Sequence, residues 1–479
     1  MSFTGVLISI MLLIAAMGSP EMMRTSGPAE PGQTVAADAG APAKGWAVAG
    51  QYDTSGLAEA EVASLTTVSV SPSGRWIAAV NRMKPSPKDR MAAGIANPLG
   101  RLPDALYLFV RQENGYRPER MIPVDPVAMQ ELSSTLGGGA ALAWNDDETR
   151  CVLSARWDSQ GRMYLNQSHS NLYLLDLAGR TWTRLTDTSE SGNHCVLPAW
   201  SGPDTIRFVR QTSDGGYLNA LCELDLGTGR ETKIASLYSG GIEHALAVVT
   251  NWRIAGPSVY YTVDMMNTGR LCVSPVGGLE IAARSLVDTM KDLRETDRHP
   301  YCRYFAAMDA SADGRWICLT VEDQRVPYRD FPFADSPELP QADPAHAISI
   351  STRRPWVPCH NVFLYDTVRG QLLDPFMAGG LAPTAAVVTA ACFSPDGSSL
   401  LFTVFGDERP WSIEDLEQAA FYRMDLSEDP FRPERLFTLE LYSALSFPEG
   451  LRWTGDLLCI PTDRQPDLSV QLIWLRPAE

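Results

Sequence analysis

Histidine is the residue type whose placement in this sequence comes closest to a metal-binding pattern. The chain has six histidines, and His194, His244 and His299 each precede a short run of apolar residues. His346 and His360 lie together in one long segment. Imidazole nitrogens that converge on one point can hold a divalent metal ion. The candidate ligands are His194, His244, His299 and His360; if they do not converge, they are ordinary loop histidines.

A second candidate site is the segment from Glu322 to His360, which is rich in proline and aromatic residues. Aromatic and arginine side chains are enriched in the cores of protein–protein interfaces. We therefore expect this segment to dock a protein or peptide partner. The residues expected to form the docking surface are Tyr328, Phe331, Phe333, Arg353, Arg354 and Trp356.

No enzyme motif accompanies these residues. The sequence has no G-x-S-x-G nucleophile turn, no H-E-x-x-H zinc motif, no phosphate-binding loop and no dinucleotide fingerprint. Most of the aspartates lie in turns, where capping of the backbone explains them. The sequence therefore assigns no catalytic residue and favours a protein that is not an enzyme.

The net charge restricts the partners. The chain has 40 Lys and Arg against 57 Asp and Glu, which gives a formal charge of −17. Such a surface repels phosphate backbones, and no basic block offsets it, so a nucleic-acid partner is excluded. The same charge disfavours a polyanionic substrate.

An internal repeat must position these candidate residues. A turn rich in Ser, Pro, Asp and Gly recurs, and a short β-branched or aromatic run follows each copy. Asp or Asn caps such a turn, Pro presets φ, and Gly adopts a positive φ without strain. The seven copies begin near Ser71, Trp144, Trp200, Trp252, Ser311, Phe393 and Trp453.

Each copy continues into further strands. An alternating strand that ends in an acidic residue follows, as in Asn171 to Asp176 and Asn361 to Asp366, and a third short strand comes after a polar turn. With the strand that enters the turn, each unit has four antiparallel strands. Four short strands recurring at roughly 50–80 residues are typical of a propeller blade. The sequence thus predicts an all-β, seven-bladed β-propeller.

The last unit ends with Val470 to Leu475 and lacks an outer strand. A strand-like run from Gly45 to Gly50 stands before the first unit. We expect this run, or the stretch just after it, to pair with the last blade and close the ring, because closure removes two exposed sheet edges.

The repeat resembles that of the TolB-like (WD-repeat-like) bacterial propellers. The stretch from Asn171 to Asp187, NLYLLDLAGRTWTRLTD, is close to the second half of a blade in that family, and the resemblance covers residues 45–479. It implies the fold and leaves the function open, because such blades serve scaffold proteins, peptidase gating domains and some lyases. Propeller oligogalacturonate lyases, whose blades look similar, use a histidine-rich metal centre. WD dipeptides are missing here.

Three long insertions interrupt the repeat, at Asn81 to Asp104, Glu322 to His360 and Gly406 to Glu417. Each falls between the second and third strands of its blade, in blades one, five and six, so all three are expected on one side of one face. Long loops on a rigid scaffold usually carry binding. The alternative is a packed cover over the mouth of the propeller. In the third insertion, Ser412 and Asp415 favour a short helix.

The amino terminus favours export. Val6 to Met17 is an unbroken apolar run, the length of a signal-peptide core and short for a bilayer span. The predicted organisation is a signal peptide or membrane anchor over residues 1–18, a flexible linker over 19–44 and a propeller over 45–479. The nine cysteines include several in apolar β-like runs and no CxxC pair, which favours buried, reduced thiols.

These features predict an exported module that is periplasmic, on the cell surface or secreted, with contact to a membrane only through residues 6–17. It binds a protein or peptide, or serves as a scaffold, through the long loops of blades one, five and six. The alternative is a metal-dependent lyase or hydrolase that acts on an acidic saccharide with histidines at the propeller mouth. The first hypothesis requires no cofactor, and the second requires a divalent metal.

Overall fold

The structure is a computed structural model, and almost all of the residues that it describes lie in β-strands or in the turns between them. The described residues are 46–53, 64–73, 75–82, 105–112, 115–121, 142–157, 169–188, 193–212, 218–238, 248–265, 268–277, 283–294, 302–323, 359–375, 387–405, 418–428, 431–440, 451–454, 457–464 and 469–477. Residues Thr289–Arg294 form a π-helical turn. Within these ranges no helix has the length and hydropathy that a membrane span requires.

The strands recur at short intervals along the whole described chain. In chain order they are β1 Trp46–Asp53, β2 Ser64–Val70, β3 Trp76–Arg82, β4 Ala105–Gln112, β5 Gly115–Met121, β6 Leu142–Trp144, β7 Arg150–Trp157, β8 His169–Asp176, β9 Thr181–Arg184, β10 His194–Gly202, β11 Thr205–Thr212, β12 Leu218–Asp225, β13 Arg230–Ser236, β14 Val248–Ala255, β15 Ser258–Met265, β16 Thr268–Pro275, β17 Arg284–Asp288, β18 Cys302–Ala310, β19 Trp316–Asp323, β20 Cys359–Asp366, β21 Gln371–Leu373, β22 Val387–Phe393, β23 Ser399–Phe405, β24 Gln418–Asp425, β25 Pro433–Glu440, β26 Arg452–Thr454, β27 Leu457–Arg464 and β28 Ser469–Pro477.

Within the described residues these strands form five four-stranded sheets and one sheet of eight strands. We number them sheet I (β2–β5), sheet II (β6–β13), sheet III (β14–β17), sheet IV (β18–β21), sheet V (β22–β25) and sheet VI (β26–β28 with β1). In sheet II the strands β6–β9 and β10–β13 form two antiparallel halves, IIa and IIb. One parallel pairing, of Ser170 with His194, joins these halves.

The antiparallel order gives every sheet two different ends. Connections from the first to the second strand and from the third to the fourth leave from one end, which we call the turn side. The connection from the second to the third strand leaves from the opposite end, which we call the loop side. Antiparallel neighbours can be joined by tight turns, and the repeated sequence supplies those turns.

Four of the repeated turns share one hydrogen-bond pattern. The backbone N–H of Ser311 donates to the carbonyl of Trp316, and the N–H of Trp316 donates back to the Ser311 hydroxyl oxygen, each at 2.9 Å. The same two bonds link Ser71 with Trp76, Asn145 with Arg150 and Ser394 with Ser399. For these four turns, the prediction that polar residues cap a tight turn ahead of a strand is confirmed.

The first strand pairs with the last. Strand β1 runs antiparallel to β28, from Trp46 opposite Pro477 to Asp53 opposite Gln471, with a bulge after Val48. The predicted pairing of this region with the last unit is confirmed, although the strand extends three residues beyond the run that ends at Gly50. The amino-terminal segment therefore supplies the outer strand that the last unit lacks.

Hydrophobic cores lie between neighbouring sheets. Between sheets IV and V, Trp316 and Val362 pack with Phe402, whereas Ile317 and Leu319, which alternate with Trp316 along β19, belong to the core between sheets III and IV. This follows from the two-residue period of a strand, which turns successive side chains to opposite faces. Burying a side chain such as Phe402 contributes about 1.5–3 kcal/mol.

Contacts connect the sheets in chain order. Strands of sheet I contact IIa, IIa contacts IIb, IIb contacts III, and the series continues through IV and V to VI. Sheet VI also contacts sheet I, through β1 with β5 and β28 with β2. The series of contacts therefore returns to its starting point.

Candidate functional site

Three long connections leave from the loop side, as the repeat predicts. They are residues 83–104 in sheet I, 324–358 in sheet IV and 406–417 in sheet V, each between the second and third strands of its sheet. The expected bounds change slightly, because Asn81, Glu322 and His360 belong to strands β3, β19 and β20. In half IIa, residues 158–168 form a connection that is similar in length to residues 406–417. From the sequence alone, this connection was not identified as an insertion.

The residues predicted to dock a partner lie outside the described ranges. Tyr328, Phe331, Phe333, Arg353, Arg354 and Trp356 all fall within residues 324–358. The helix expected around Ser412 and Asp415 also lies outside the described residues. The assignment of the six aromatic and arginine residues to a docking surface stays a prediction.

The structure describes the side chain of only one of the four candidate metal ligands. His194 is the first residue of β10 and is buried, with Nδ1 3.0 Å from the Ser170 hydroxyl oxygen. His360 lies in β20 opposite Glu322, and His244 and His299 fall outside the described residues. In the described part of the chain, no group of three or more His, Cys, Asp and Glu side chains could hold a metal ion.

His194 belongs to a polar contact between the halves of sheet II. The Ser170 N–H donates to the Asn193 carbonyl at 3.2 Å, and the Ser154 hydroxyl donates to the Cys195 carbonyl at 2.8 Å. With the bond between Ser170 and His194, these contacts satisfy buried polar groups where β8 meets β10. The sequence contained no signal for this role, because Ser170 and His194 are brought together only by the pairing of two separate units.

A second buried polar cluster explains the motif NLYLLD…RLT. The Asn171 Oδ1 accepts bonds from the Thr188 N–H and hydroxyl at 2.8 and 2.9 Å and from the Thr186 hydroxyl at 3.2 Å. The Thr186 hydroxyl oxygen in turn accepts from the Leu172 N–H at 2.9 Å. These residues extend the pairing of the outer edge beyond the short strand β9, so their role is to hold the sheet together.

The repeated tryptophans pack between sheets. Trp144, Trp252 and Trp316 are buried. The indole N–H of Trp252 in sheet III donates to the Leu197 carbonyl in half IIb at 2.8 Å. The indole N–H of Trp200 makes the equivalent bond from IIb to half IIa. A tryptophan at this position therefore both fills the core and ties its sheet to the preceding one.

The aspartates of the turns are explained by their local hydrogen bonds. The Ser311 hydroxyl and the Arg315 N–H donate to Asp313 and lower the pKa of its carboxyl group. Asp396 has the same environment, in which bonds from the Ser394 hydroxyl and from Ser398 lower its pKa to about 2. Carboxylates held in the charged form by turn donors stabilise the turn.

The seven cysteines whose side chains are described are buried, in agreement with the expectation of buried thiols. Burial raises the pKa of Cys195 to about 11 and that of Cys222 and Cys272 to about 12. Such thiols are protonated at neutral pH and are poor nucleophiles or metal ligands.

The chain matches no known family model and no curated protein. Solved structures that resemble it include hydrazine synthase from Kuenenia stuttgartiensis, at 10% identity and a TM-score of 0.44, over 83% of this chain and 92% of that chain. Acylaminoacyl peptidase from Pyrococcus horikoshii shows 9% identity and a TM-score of 0.44, over 88% of this chain and 53% of that chain, so this chain spans about half of the peptidase.

A third similar structure is the β-propeller domain of the trilobed protease from Pyrococcus furiosus, which has an open velcro topology. It shows 9% identity and a TM-score of 0.42, over 87% of this chain and 98% of that chain. The structures that resemble this chain therefore include a β-propeller domain.

Proposed function

We propose that this chain is a closed, seven-bladed β-propeller of the TolB-like kind that binds a protein or peptide partner outside the cytoplasm. Counting IIa and IIb as two blades gives seven four-stranded units. The return of the contacts from sheet VI to sheet I supports a ring. The pairing of β1 with β28 supports closure by the two ends of the chain.

The position of the insertions carries the binding proposal. The connections 83–104, 324–358 and 406–417 all leave from the loop side, and sheets IV, V, VI and I follow one another in the series of contacts. In a ring this places the three insertions in one sector of one face. Loops gathered on a rigid scaffold form a binding surface, and the aromatic and arginine residues of the segment 324–358 suit a protein partner.

Export is part of the same proposal. The apolar run from Val6 to Met17 has the length of a signal-peptide core, and the Ala-, Gly- and Pro-rich stretch over residues 19–44 suits a tether between that run and β1. Replacing Leu12 and Leu13 by arginine is expected to retain the protein in the cytoplasmic fraction of the producing cell. Unchanged fractionation would contradict export through this run.

Replacement of the longest insertion tests the binding proposal. Asp323 and Cys359 are directly opposite each other in the pairing of β19 with β20, so an Asn-Gly turn can replace residues 324–358 and close a tight hairpin. We expect the shortened protein to keep its melting temperature and to lose the partner that cross-linking attaches to the full chain in the producing cells.

The chain offers a matched control. Trp157 and His169 are also directly opposite each other, in the pairing of β7 with β8, so the same turn can replace residues 158–168. This variant is expected to retain the partner, because its loop lies in a different sector. Recovery of the partner with both variants, or its loss from both, would contradict the assignment of the binding face.

A further inference from the structure

Three arginines lie on the turn side of sheets III and IV, opposite to the side that carries the insertions. Arg315 ends the first turn of sheet IV, Arg369 lies in its second turn, and Arg284 begins the outer strand of sheet III. We call these three residues the arginine patch. The patch is notable because the chain as a whole has a net charge of −17.

A buried carboxylate organises two of these arginines. Asp366 is fully buried, and its Oδ1 accepts hydrogen bonds from the backbone N–H groups of Val368 and Arg369 at 2.9 and 3.0 Å. Its Oδ2 faces Arg315 Nη2 at 3.7 Å and Arg369 Nε at 3.8 Å, and it has no hydrogen-bond partner among the residues that the structure describes. Both distances are longer than the donor–acceptor distance of a hydrogen bond. Asp366 thus attracts the two guanidinium groups without using up their N–H donors.

The two guanidinium groups remain accessible. The side chains of Arg315 and Arg369 are 43% and 57% exposed. Arg315 is held over the Trp316 ring, with its guanidinium carbon 4.8 Å from the ring centre. A planar guanidinium fixed on an aromatic face presents its donors in a defined direction, which suits recognition of a carboxylate.

The third arginine, Arg284, lies near Tyr365, the residue that precedes Asp366. Burial raises the pKa of the Tyr365 hydroxyl, and the nearby positive charge of Arg284 opposes that effect. A Cβ at Gly370 would lie 3.7 Å from the Tyr365 hydroxyl oxygen, so the second turn of sheet IV covers this hydroxyl. Arg284 is exposed and forms no ion pair with any residue that the structure describes. Leu286, on the same strand as Arg284, packs against the core that contains Tyr365 and that Leu372 also contacts. The turn that carries Arg369 and the strand that carries Arg284 are therefore neighbours.

An exposed apolar side chain completes the surface. Val368, between Asp366 and Arg369, is 79% exposed, the highest value among the large hydrophobic side chains whose exposure the structure describes. Asp313, in the same turn as Arg315, accepts hydrogen bonds from the Ser311 hydroxyl and the Arg315 N–H. The surface thus combines three cations, unused N–H donors and one apolar contact point.

We propose that the arginine patch and Val368 form a second docking surface, which takes an acidic, extended segment of a partner protein. Charge complementarity favours this occupant. Its glutamate or aspartate side chains meet the guanidinium groups, and an apolar side chain on the same face of the segment covers Val368. In an extended segment every second side chain lies on the same face, so acidic and apolar residues that take turns at positions i, i+2 and i+4 present both chemistries to one surface. This surface is separate from the insertions of the loop side, so it does not depend on the function proposed for them.

The test uses a fluorescent peptide that repeats Glu-Ser-Val-Ser, in which glutamate and valine take turns on one face of an extended chain, with fluorescence anisotropy as the measurement. We expect the full chain to bind this peptide and to bind the Gln-Ser-Val-Ser peptide at least about tenfold more weakly. Raising the salt concentration from about 0.05 M to about 0.3 M is expected to weaken binding of the acidic peptide, because the Debye length shortens. Equal binding of the two peptides would overturn the proposal.

Two double variants locate the site. Arg284→Gln with Arg369→Gln is expected to weaken binding of the acidic peptide about tenfold at an unchanged melting temperature. The matched control is Arg180→Gln with Arg230→Gln, which removes two exposed arginines from the corresponding turns of sheet II and is expected to change binding less than about twofold. Equal loss in both variants would overturn the assignment and indicate only nonspecific attraction.

Two further outcomes would also overturn the proposal of a docking surface for an acidic segment. Inorganic phosphate that displaces the acidic peptide at an equal concentration would indicate a small-anion site in place of a peptide site. Sedimentation that shows a dimer in the parent chain and a monomer in the Arg284→Gln, Arg369→Gln variant would assign the patch to a second copy of the chain.

Discussion

The carboxylate of Glu148 in half IIa accepts hydrogen bonds from both the backbone N–H and the hydroxyl of Ser73 in sheet I, the latter at 2.7 Å. Ser73 stands where the corresponding turn of sheet IV carries Asp313, and Glu148 stands where that turn carries Gly314. Glu148 has a φ of 57°, close to the 70° of Gly314. The turn of sheet I therefore lacks a carboxylate of its own and receives one from the neighbouring turn.

The hydrogen bonds between Ser73 and Glu148 predict the order of stability among variants of Glu148. Glu148→Ala removes the bonds to Ser73 and keeps a side chain at a positive φ, so we expect a loss of about 2 kcal/mol. Glu148→Gly removes the same bonds and also relieves the backbone strain, so it is expected to be about 1 kcal/mol more stable than Glu148→Ala. Urea unfolding, followed by circular dichroism, measures both. Equal stability of the two variants would show that the positive φ carries no strain.

Gly314, the glycine at the same turn position in sheet IV, has too little space for a side chain. A Cβ at Gly314 would lie 2.7 Å from the Ala255 Cβ of sheet III, whereas a Cβ at Gly229, with nearly the same φ, would have no described atom within 4 Å. Gly229→Ala is expected to cost about 1 kcal/mol for the backbone alone. Gly314→Ala is expected to cost about 1–3 kcal/mol more, because it also forces the two sheets apart.

A second substitution separates these two contributions. Ala255→Gly removes the side chain that the new Cβ would meet, so the double variant Gly314→Ala, Ala255→Gly is expected to recover part of the loss in urea unfolding. If the double variant is no more stable than Gly314→Ala alone, the contact between the sheets does not limit this turn.

The depressed pKa of Asp396 predicts a pH window. Bonds from Ser394 and Ser398 favour the charged carboxylate in the folded state, with a pKa of about 2, below the ordinary aspartate value of about 4. The stabilisation is fully present above about pH 4 and is lost as the pH falls through about 2. Asp396→Asn does not titrate, so the difference in melting temperature between the parent and this variant should be constant above about pH 4 and vanish near pH 2. A difference that persists unchanged at pH 2 would contradict this assignment.

The strands were predictable because their signals are local. The turn from Phe393 to Gly397 carries its own capping residues, and the apolar run that follows becomes β23, Ser399–Phe405. The missing outer strand of the last unit likewise pointed to the region that forms β1. In each case, turn chemistry or an unpaired edge restricts the structure without knowledge of distant contacts.

The roles of individual side chains were less predictable because they depend on neighbouring sheets. His194 was a candidate metal ligand, but its surroundings are set by Ser170 in the other half of sheet II. Glu148 occurs in a turn whose sequence suggests capping, and nothing local to it indicates Ser73 as its partner. The arginine patch was also missed, because Arg284 and Arg369 belong to different sheets and share no motif.

The pairing of β1 with β28 makes the effect of amino-terminal truncation depend on where the chain is cut. Removal of residues 1–44 leaves β1 in place and is expected to leave the melting temperature unchanged. Removal of residues 1–53 takes away β1, whose antiparallel register with β28 runs from Trp46 to Asp53. Several backbone hydrogen bonds, each contributing about 0.5–1.5 kcal/mol, are then lost, so we expect a loss of at least about 3 kcal/mol.

The exposed edge of β28 should also make the shorter protein associate, because an unpaired strand edge is a template for pairing with another chain. Thermal unfolding and light scattering measure the two effects. A synthetic peptide with the sequence of β1, added in excess, is expected to restore the melting temperature of the shorter protein, while a scrambled peptide of the same composition is not. If removal of residues 1–53 leaves both stability and light scattering unchanged, β1 does not close the sheet in solution.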